Sequence, residues 1–168
     1  MPVSDSLADR FAKAVDDLGA MPGPIILAVS GGSDSTALMH LAADAVSIER
    51  LIAVSVDHGL RSEAHAEIAQ VAAQAEGLGM RHQVARWSWN GQGNLQAAAR
   101  AGRWGALSQV AKNQGATAVW LGHTEDDQVE TAVMRLARGS GVDGLAAMAR
   151  RTMRDGVVIA HRASCHCR

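Results

Sequence analysis

A short glycine- and serine-rich segment, residues 30–36, has the composition of a phosphate-binding loop. Its two adjacent glycines let the backbone turn N–H groups toward a common point, and its hydroxyls add further donors. A helix that begins directly after the loop would direct its positive end at the same anion. The pattern predicts a polyphosphate site, and a turn with serine helix caps is the alternative. The candidate ligands are Ser30, Gly31, Gly32, Ser33 and Ser35, and Asp34 is placed to hold Mg²⁺.

The segment lies between an apolar run and a helical pattern. Ile25–Val29 predicts a first strand, entered from an N-terminal helix over about Asp5 to Leu18. Further strands are predicted at Leu51–Val56, His82–Arg86, Ala118–Leu121 and Val157–Ala160, each of ordinary length. Between them, helices are predicted to begin at Ser62, Asn94 and Thr124. This alternation favours an α/β fold with a doubly wound, parallel, five-stranded Rossmann-like sheet, whose ligands bind beyond the carboxyl ends of the strands.

The loop matches neither of the common nucleotide-binding motifs. It has no Gly-Lys-Ser/Thr ending of the Walker type and no GxGxxG spacing. Ser-Gly-Gly-x-Asp-Ser after a first strand instead resembles the PP-loop of ATP-pyrophosphatases, which split ATP between the α and β phosphates. Many enzymes share this loop, so it indicates a reaction type rather than a substrate.

Four further stretches narrow the resemblance. They are residues 56–61 (VDHGLR), 94–100 (NLQAAAR), 121–131 (LGHTEDDQVET) and 138–145 (RGSGVDGL). In order and spacing they resemble the tRNA(Ile)-lysidine synthetase family, from Ile25 to about Ile159. The family usually has glutamate where Gln96 stands and tyrosine where Trp104 stands, which weakens the transfer of residue roles in that stretch.

The resemblance implies both an activity and a set of site residues. Family members use ATP to adenylate the wobble cytidine of an isoleucine tRNA with a CAU anticodon, releasing pyrophosphate, and L-lysine then displaces AMP. Members are cytoplasmic, and some are homodimers. The implied catalytic residues are Asp34, Asp127, His123 and Arg100, with Asp34 and Asp127 as Mg²⁺ ligands. Asp57 and His58 are expected beside the nucleotide, and an acidic side chain within 126–130 is the candidate base for lysine.

Several of these residues also have a purely structural interpretation. Asp126 and Asp127 suit the first turn of a helix whether or not they bind a metal. His58 and His123 end their strands and would either contact phosphate or cap a loop. Arg100 and Arg103 share a helix face that would meet a phosphate or lie in solvent. Three histidines, His40, His65 and His82, stand on predicted helices or a strand away from the loop ends and are assigned a structural role. The tryptophans Trp87, Trp89 and Trp120 could stack on bases, but they more often supply core bulk and are assigned no role.

Composition restricts the class of protein. Hydrophobic residues make up 48% and charged residues 20%, without an apolar run of the roughly 18 residues that cross a bilayer, which excludes a membrane protein. The first twenty residues carry four aspartates and resemble no secretory signal, so a cytoplasmic location is expected. Six basic and eleven acidic residues precede Arg100, against ten and six from Arg100 onward. This asymmetry favours a basic face for nucleic acid, although solvated charge gives the same count.

The domain prediction is one catalytic PP-loop domain over residues 1–160 and an unmatched tail over 161–168. Family members continue into a C-terminal tRNA-recognition region, and nothing of that size follows Ala160. Cys165 and Cys167 are too few and too close together for a zinc site or a disulfide framework. Two alternatives remain: a PP-loop tRNA thiolase, which should carry more cysteines, and a nucleotide-binding remnant without turnover.

Overall fold

The computed structural model describes residues 6–59, 64–89, 91–122, 151–154 and 157–161. Its helices are α1 (Leu7–Asp17), α2 (Ser33–Ala45), α3 (Ala64–Gly77) and α4 (Leu95–Gln114), with a 3₁₀ turn at Ile48–Arg50. Its strands are β1 (Ile25–Ala28), β2 (Leu51–Asp57), β3 (Arg81–Arg86), β4 (Ala118–Leu121), β5 (Arg151–Arg154) and β6 (Val157–His161). Within this part of the chain, no helix is long and apolar enough to span a bilayer.

The strands form one sheet in the order β3-β2-β1-β4-β6-β5. The first five strands of that order pair in parallel, which confirms the predicted five-stranded parallel sheet. The sixth strand, β5, pairs antiparallel with β6 at the edge and was not predicted. Its four residues, Arg-Thr-Met-Arg, lack an apolar run. The Asp155-Gly156 pair that follows them in the sequence is a hairpin signal from which the strand could have been predicted.

The strand order reverses between β1 and β4. From β1 the chain proceeds outward to β2 and β3, then returns through α4 to β4, which pairs with the opposite side of β1. Ligands of doubly wound folds bind in the crevice at this switch point, outside the carboxyl ends of the strands. The glycine-rich loop follows β1, so topology places it in that crevice.

Alternate residues of β1 build two apolar layers. Ile25 and Leu27 pack toward the layer that contains α1, α2 and α3, whereas Ile26 and Ala28 pack toward α4. All four residues are buried, as expected for a central strand covered on both faces. Trp120 is only 2% exposed and meets Phe11 edge-on, which confirms its predicted place in the core.

Caps define where the helices begin. Ser6 and Asp9 form a capping box at α1, two residues inside the predicted start. The Asn94 side chain accepts the N–H groups of Gln96 and Ala97, confirming the predicted cap of α4. The predicted caps Ser62 and Thr124 lie outside the described residues.

Gly122, directly after β4, is packed against the first turn of α2. A Cβ atom at this position would lie 2.7 Å from Ser35 Cα and 3.0 Å from the Asp34 carbonyl oxygen. Real Cβ atoms do not approach backbone this closely, so only glycine lets β4 end against the glycine-rich loop. The segment that follows β4 therefore starts at the loop itself.

We expect Gly122→Ala to destabilise the fold by about 1–3 kcal/mol, because the contact is with backbone that cannot move aside cheaply. Gly105→Ala is the matched control: Gly105 is exposed on α4 with open space around it. That substitution should stabilise the fold by about 0.5–1 kcal/mol through helix propensity. Urea denaturation of both variants measures the difference, and equal stabilities would contradict the assigned contact.

Candidate nucleotide site

The loop between β1 and α2 is closed by one buried hydroxyl. Ser35 Oγ donates to the Gly32 carbonyl at 3.0 Å and accepts the Ser30 N–H at 3.2 Å. Ser30 Oγ lies 3.2 Å from the same atom. Ser35 is 5% exposed, whereas Ser30 and Ser33 are exposed. The prediction that Ser35 binds phosphate stays untested, but the geometry uses its hydroxyl to brace the loop.

The two loop glycines have different physical reasons to be glycine. Gly31 has φ +90°, a conformation that L side chains rarely adopt, and a Cβ there would meet Glu67 Cβ of α3 at 3.3 Å. Gly32 has φ −70° and ψ 159°, which any residue adopts, and its Cβ would make an ordinary 3.7 Å contact with Ser30 Oγ. The expectation that both glycines permit the turn is therefore correct for Gly31 alone. At position 32 we infer that glycine is needed so that a ligand can approach the backbone closely.

Gly32 is also the N-cap of α2, and no side chain of the described residues caps this helix. The first N–H groups of a helix have no partner within it, and no serine or aspartate in the described part of the chain bonds them here. The Thr36 N–H is the first to bond back, to the Gly32 carbonyl at 3.0 Å. Half-buried Asp34 lies in the same first turn. The loop thus presents unsatisfied N–H groups with a carboxylate beside them, an arrangement suited to an anion accompanied by a cation.

At the end of β2, Asp57 shapes the neighbouring loop. Its Oδ1 accepts the Gly59 N–H at 2.9 Å, and its Oδ2 lies 3.8 Å from His65 Nε2. His65 was predicted to stand on a helix away from the loop ends, whereas its ring lies near Asp57, at the end of β2 where the following loop starts. The ring belongs to the first turn of α3, which begins beside β2, and its side chain is 78% exposed.

A packed cluster next to Asp57, between the end of β2 and α4, consists of His58, Trp87 and Gly102. The Trp87 indole occupies the space that a side chain at Gly102 would fill, since a Cβ there would lie 2.0 Å from Trp87 Nε1. The His58 ring meets Trp87 edge-on at 5.6 Å. His58 Nδ1 is buried and has no hydrogen-bond partner among the described residues. Trp87 is half-buried and packs beside His58, so it is not part of the fully buried core.

Charge around this cluster is predominantly positive. Burial first, and then the charge of Arg103, lower the pKa of His58, while the Asp57 carboxylate acts in the opposite direction. Burial, followed by repulsion from Arg100, lowers the pKa of Arg103. Among the described residues, neither arginine forms an ion pair with a carboxylate. Both groups are therefore suited to meet an anion at the carboxyl edge of the sheet.

The structure brings together part of the predicted site. The loop residues 30–35 lie at the end of β1, and Asp57 with His58 at the end of the adjacent β2. Arg100 is exposed on the first half of α4, whereas Arg103, which was given a weaker assignment, is half-buried near His58. His123, Asp126 and Asp127 lie outside the described residues.

Residues 4–162 match the family model of the PP-loop domain, and this match spans the glycine-rich loop and all the described strands. The chain belongs to the PP-loop domain family. The loop over residues 30–36 is accordingly its PP-loop.

The PP-loop domain is also similar to named relatives. It is 52% identical over 141 residues to a tRNA(Ile)-lysidine synthase of Ruegeria pomeroyi, which covers 82% of this chain and 34% of the relative. It is 45% identical over 166 residues to a tRNA(Ile)-lysidine synthase of a Bradyrhizobium species, covering 95% of this chain and 45% of the relative. The chain thus spans less than half the length of these two relatives.

Among solved structures, a U34-tRNA thiolase NcsA from Methanococcus maripaludis with its [4Fe-4S] cluster superposes with a TM-score of 0.75. The match covers 92% of this chain and 56% of the thiolase at 18% identity. At that identity the likeness establishes the fold alone.

The two glycines of the PP-loop should respond differently to alanine. We expect Gly31→Ala to destabilise the fold by about 1–2 kcal/mol, because its φ is positive. Gly32→Ala should lower the free energy of unfolding by only about 0.5–1 kcal/mol, the cost of alanine at a helix N-cap, but weaken pyrophosphate binding about tenfold. Urea denaturation and calorimetric titration with pyrophosphate measure the two effects. Unchanged pyrophosphate affinity of Gly32→Ala would contradict the close approach of phosphate.

The lowered pKa of His58 predicts a pH dependence of stability. The unfolded chain, with the ordinary histidine pKa of 6.5, takes up a proton before the folded chain does. Stability contributed by neutral His58 is therefore complete above pH 6.5 and is lost as pH falls below it. The urea midpoint should decline less steeply below that pH in His58→Gln than in wild type. His40→Gln, which removes an exposed histidine of α2, is the control, and identical slopes for wild type and His58→Gln would refute the assignment.

Proposed function

We propose that this PP-loop domain catalyses the ATP-dependent joining of L-lysine to the wobble cytidine of an isoleucine tRNA with a CAU anticodon. The observation that carries the proposal is the uncapped start of α2 behind Gly31 and Gly32, at the switch point of the sheet. The lysidine synthase relatives, at 45% and 52% identity, support the choice of substrate within the family. The proposal includes a cytoplasmic location and the homodimer that some family members form.

The PP-loop would bind the β and γ phosphates of ATP. N–H groups of residues 31–35 that have no partner among the described residues supply donors, together with the exposed Ser33 hydroxyl, and the α2 dipole adds a favourable field. The Ser30 hydroxyl would donate to phosphate only by leaving Ser35 Oγ, to which its hydrogen is directed here. Donors fixed before the reaction stabilise the negative charge that develops on the leaving pyrophosphate. Ser35 is given a bracing role, because its single hydrogen is already donated to Gly32.

The residues present fit a magnesium ion. Mg²⁺ is usually held by one or two carboxylates together with substrate phosphate oxygens, and Asp34 provides such a carboxylate in the first turn of α2. Asp127 is proposed as the second ligand, in the segment that follows Gly122. Charge on the leaving pyrophosphate would be further neutralised by Mg²⁺ held between these carboxylates and the phosphates.

The proposed reaction has two displacements. In the first, the C2 oxygen of the cytidine attacks the α phosphorus, the bond to the β-phosphate oxygen breaks, and pyrophosphate leaves. In the second, the lysine ε-amine attacks C2, the C2–O bond breaks and AMP leaves, with the amine proton passing to a base. His58 directly follows the neighbouring strand β2, and Arg103 lies near it on α4. Both are proposed to meet the α phosphate or the tRNA. Arg100 and His123 are further candidates for these contacts.

The thiolase alternative receives less support. The only cysteines of the chain are Cys165 and Cys167, whereas sulfur transfer calls for cysteines near the phosphate loop. The thiolase superposition rests on 18% identity, against 45% and 52% for the lysidine synthases. Lysine transfer is therefore the preferred reaction.

The proposal predicts incorporation of labelled lysine into a CAU-anticodon isoleucine tRNA transcript in the presence of Mg-ATP. Asp34→Asn should lower this rate by at least tenfold and weaken binding of an ATP analogue with a non-cleavable α–β bridge. Asp44→Asn, an exposed position at the far end of the same helix, is the matched control and should retain both properties.

Two controls separate the outcomes. A transcript with uridine in place of the wobble cytidine should accept no lysine. Analogue binding without lysine incorporation would favour the nucleotide-binding remnant. Incorporation that survives in Asp34→Asn would contradict the role of this carboxylate.

A further inference from the structure

A serine and a histidine form a hydrogen-bonded pair under the start of the PP-loop. Ser55 Oγ donates to the Val29 carbonyl at 3.0 Å and lies 3.1 Å from His82 Nε2. Ser55 is on β2 and only 2% exposed, and His82 is a half-buried residue of the edge strand β3. The pair therefore links three neighbouring strands on the face covered by α2 and α3.

The direction of these bonds follows from proton counting. A serine hydroxyl has one hydrogen, and here it is directed at a carbonyl that can only accept. Ser55 Oγ must then accept from His82, so Nε2 is the nitrogen that carries the ring proton. Because burial lowers the pKa of His82, the ring is neutral near neutral pH, and the Ser55 bond selects one of its two tautomers.

Val29 lies between the end of β1 at Ala28 and the first residue of the PP-loop, Ser30. Its N–H donates to the Val54 carbonyl at 2.9 Å, and its carbonyl accepts the Ser55 hydroxyl. Both polar groups of this residue are thus held by β2, which sets the direction in which the chain enters Ser30. Ser35 closes the loop from the other end, through the Ser30 N–H and the Gly32 carbonyl. The Ser55 contact is therefore the anchor on the strand side of the loop.

We propose that Ser55 and His82 are positioning residues of the PP-loop: His82 orients the Ser55 hydroxyl, which holds the Val29 carbonyl and thereby aims the loop N–H groups. The inference deepens the proposed function, since it rests on those N–H groups binding ATP phosphates. Neither side chain touches the nucleotide in this arrangement. From the sequence, His82 was assigned a structural role only, whereas under this proposal nucleotide affinity depends on it indirectly.

The first test is made on the wild-type, full 168-residue chain and needs no nucleotide. Nitrogen-15 NMR of the labelled histidines should show the Nε2–H tautomer for His82 at neutral pH. The Nδ1–H tautomer would overturn the proposal, because Ser55 would then donate to His82 and release the Val29 carbonyl.

The second test compares variants of β3. His82→Gln keeps an N–H donor near the Nε2 position, whereas His82→Leu removes it. Gln83→Leu is the matched control, because Gln83 is the next residue of the strand and is also half-buried. Its side chain accepts one long hydrogen bond, from Gln114 Nε2 at 3.4 Å. We expect shifted Gly31 and Gly32 amide resonances in His82→Leu alone. The Kd of the non-cleavable ATP analogue should rise about five- to tenfold in that variant and stay within about twofold in the other two.

The results separate this inference from the proposed function. Wild-type protein that fails to bind the analogue contradicts the proposed function, and the tautomer and amide shifts still decide whether the pair positions the loop. Loop amide resonances and analogue affinity that are the same in His82→Leu and wild type would overturn the positioning role. A loss shared by His82→Leu and Gln83→Leu would also overturn it, because it would reflect general weakening of the edge strand.

Discussion

The PP-loop must hold several backbone N–H groups in one direction while no side chain forms hydrogen bonds to them, and the rest of the domain depends on this constraint. Unsatisfied N–H groups are costly when buried, so they must lie at a surface crevice and be held there by other bonds. Ser35 provides those bonds, because its buried hydroxyl ties Ser30 to Gly32 across the loop. Leu38 and Met39, one helical turn further on, fasten the same helix into the core. Loop shape is thereby tied to the packing of the sheet.

The topology of the sheet makes that crevice available. The strands β2 and β4 lie on opposite sides of β1, so their carboxyl ends flank the loop that follows β1. Gly122 lets the β4 side approach to backbone contact, and Asp57 with His58 ends the β2 side. Groups far apart in sequence meet here because parallel strands place all their carboxyl ends at one edge. The same geometry accounts for a site assembled from short, separated motifs.

Sequence reasoning recovered the elements whose signals are local. Buried strands such as Ile25–Ala28 and Ala118–Leu121 are apolar runs, and the Asn94 cap depends only on residues within one turn. It missed β5 because it did not use the Asp155-Gly156 pair as a hairpin signal between an edge strand and β6. It misplaced His65 because the contact with Asp57 joins two different elements. Sequence reasoning expected both Gly31 and Gly32 to permit the turn, because the backbone φ of each residue cannot be inferred from a Gly-Gly pair. The Ser55–His82 contact joins residues 27 positions apart, so no local pattern identifies the partner. The serine within the otherwise apolar run Leu51–Val56 does indicate a buried hydroxyl that needs a hydrogen-bond partner.

Hydrogen-bond satisfaction separates the groups that position the site from those available to bind. The hydroxyls of Ser35 and Ser55 are buried and fully engaged, so they lose nothing when a ligand arrives and can only hold the loop. The first-turn N–H groups of α2 and His58 Nδ1 have no partner among the described residues and are available to a ligand. A ligand that bonds the buried His58 Nδ1 recovers a cost already incurred in folding. Arg103 adds a cation kept from full hydration, which strengthens its attraction for an anion. A nucleotide that bonds these groups would satisfy donors that the described chain leaves open, and this links the stability of the fold to its affinity for phosphate.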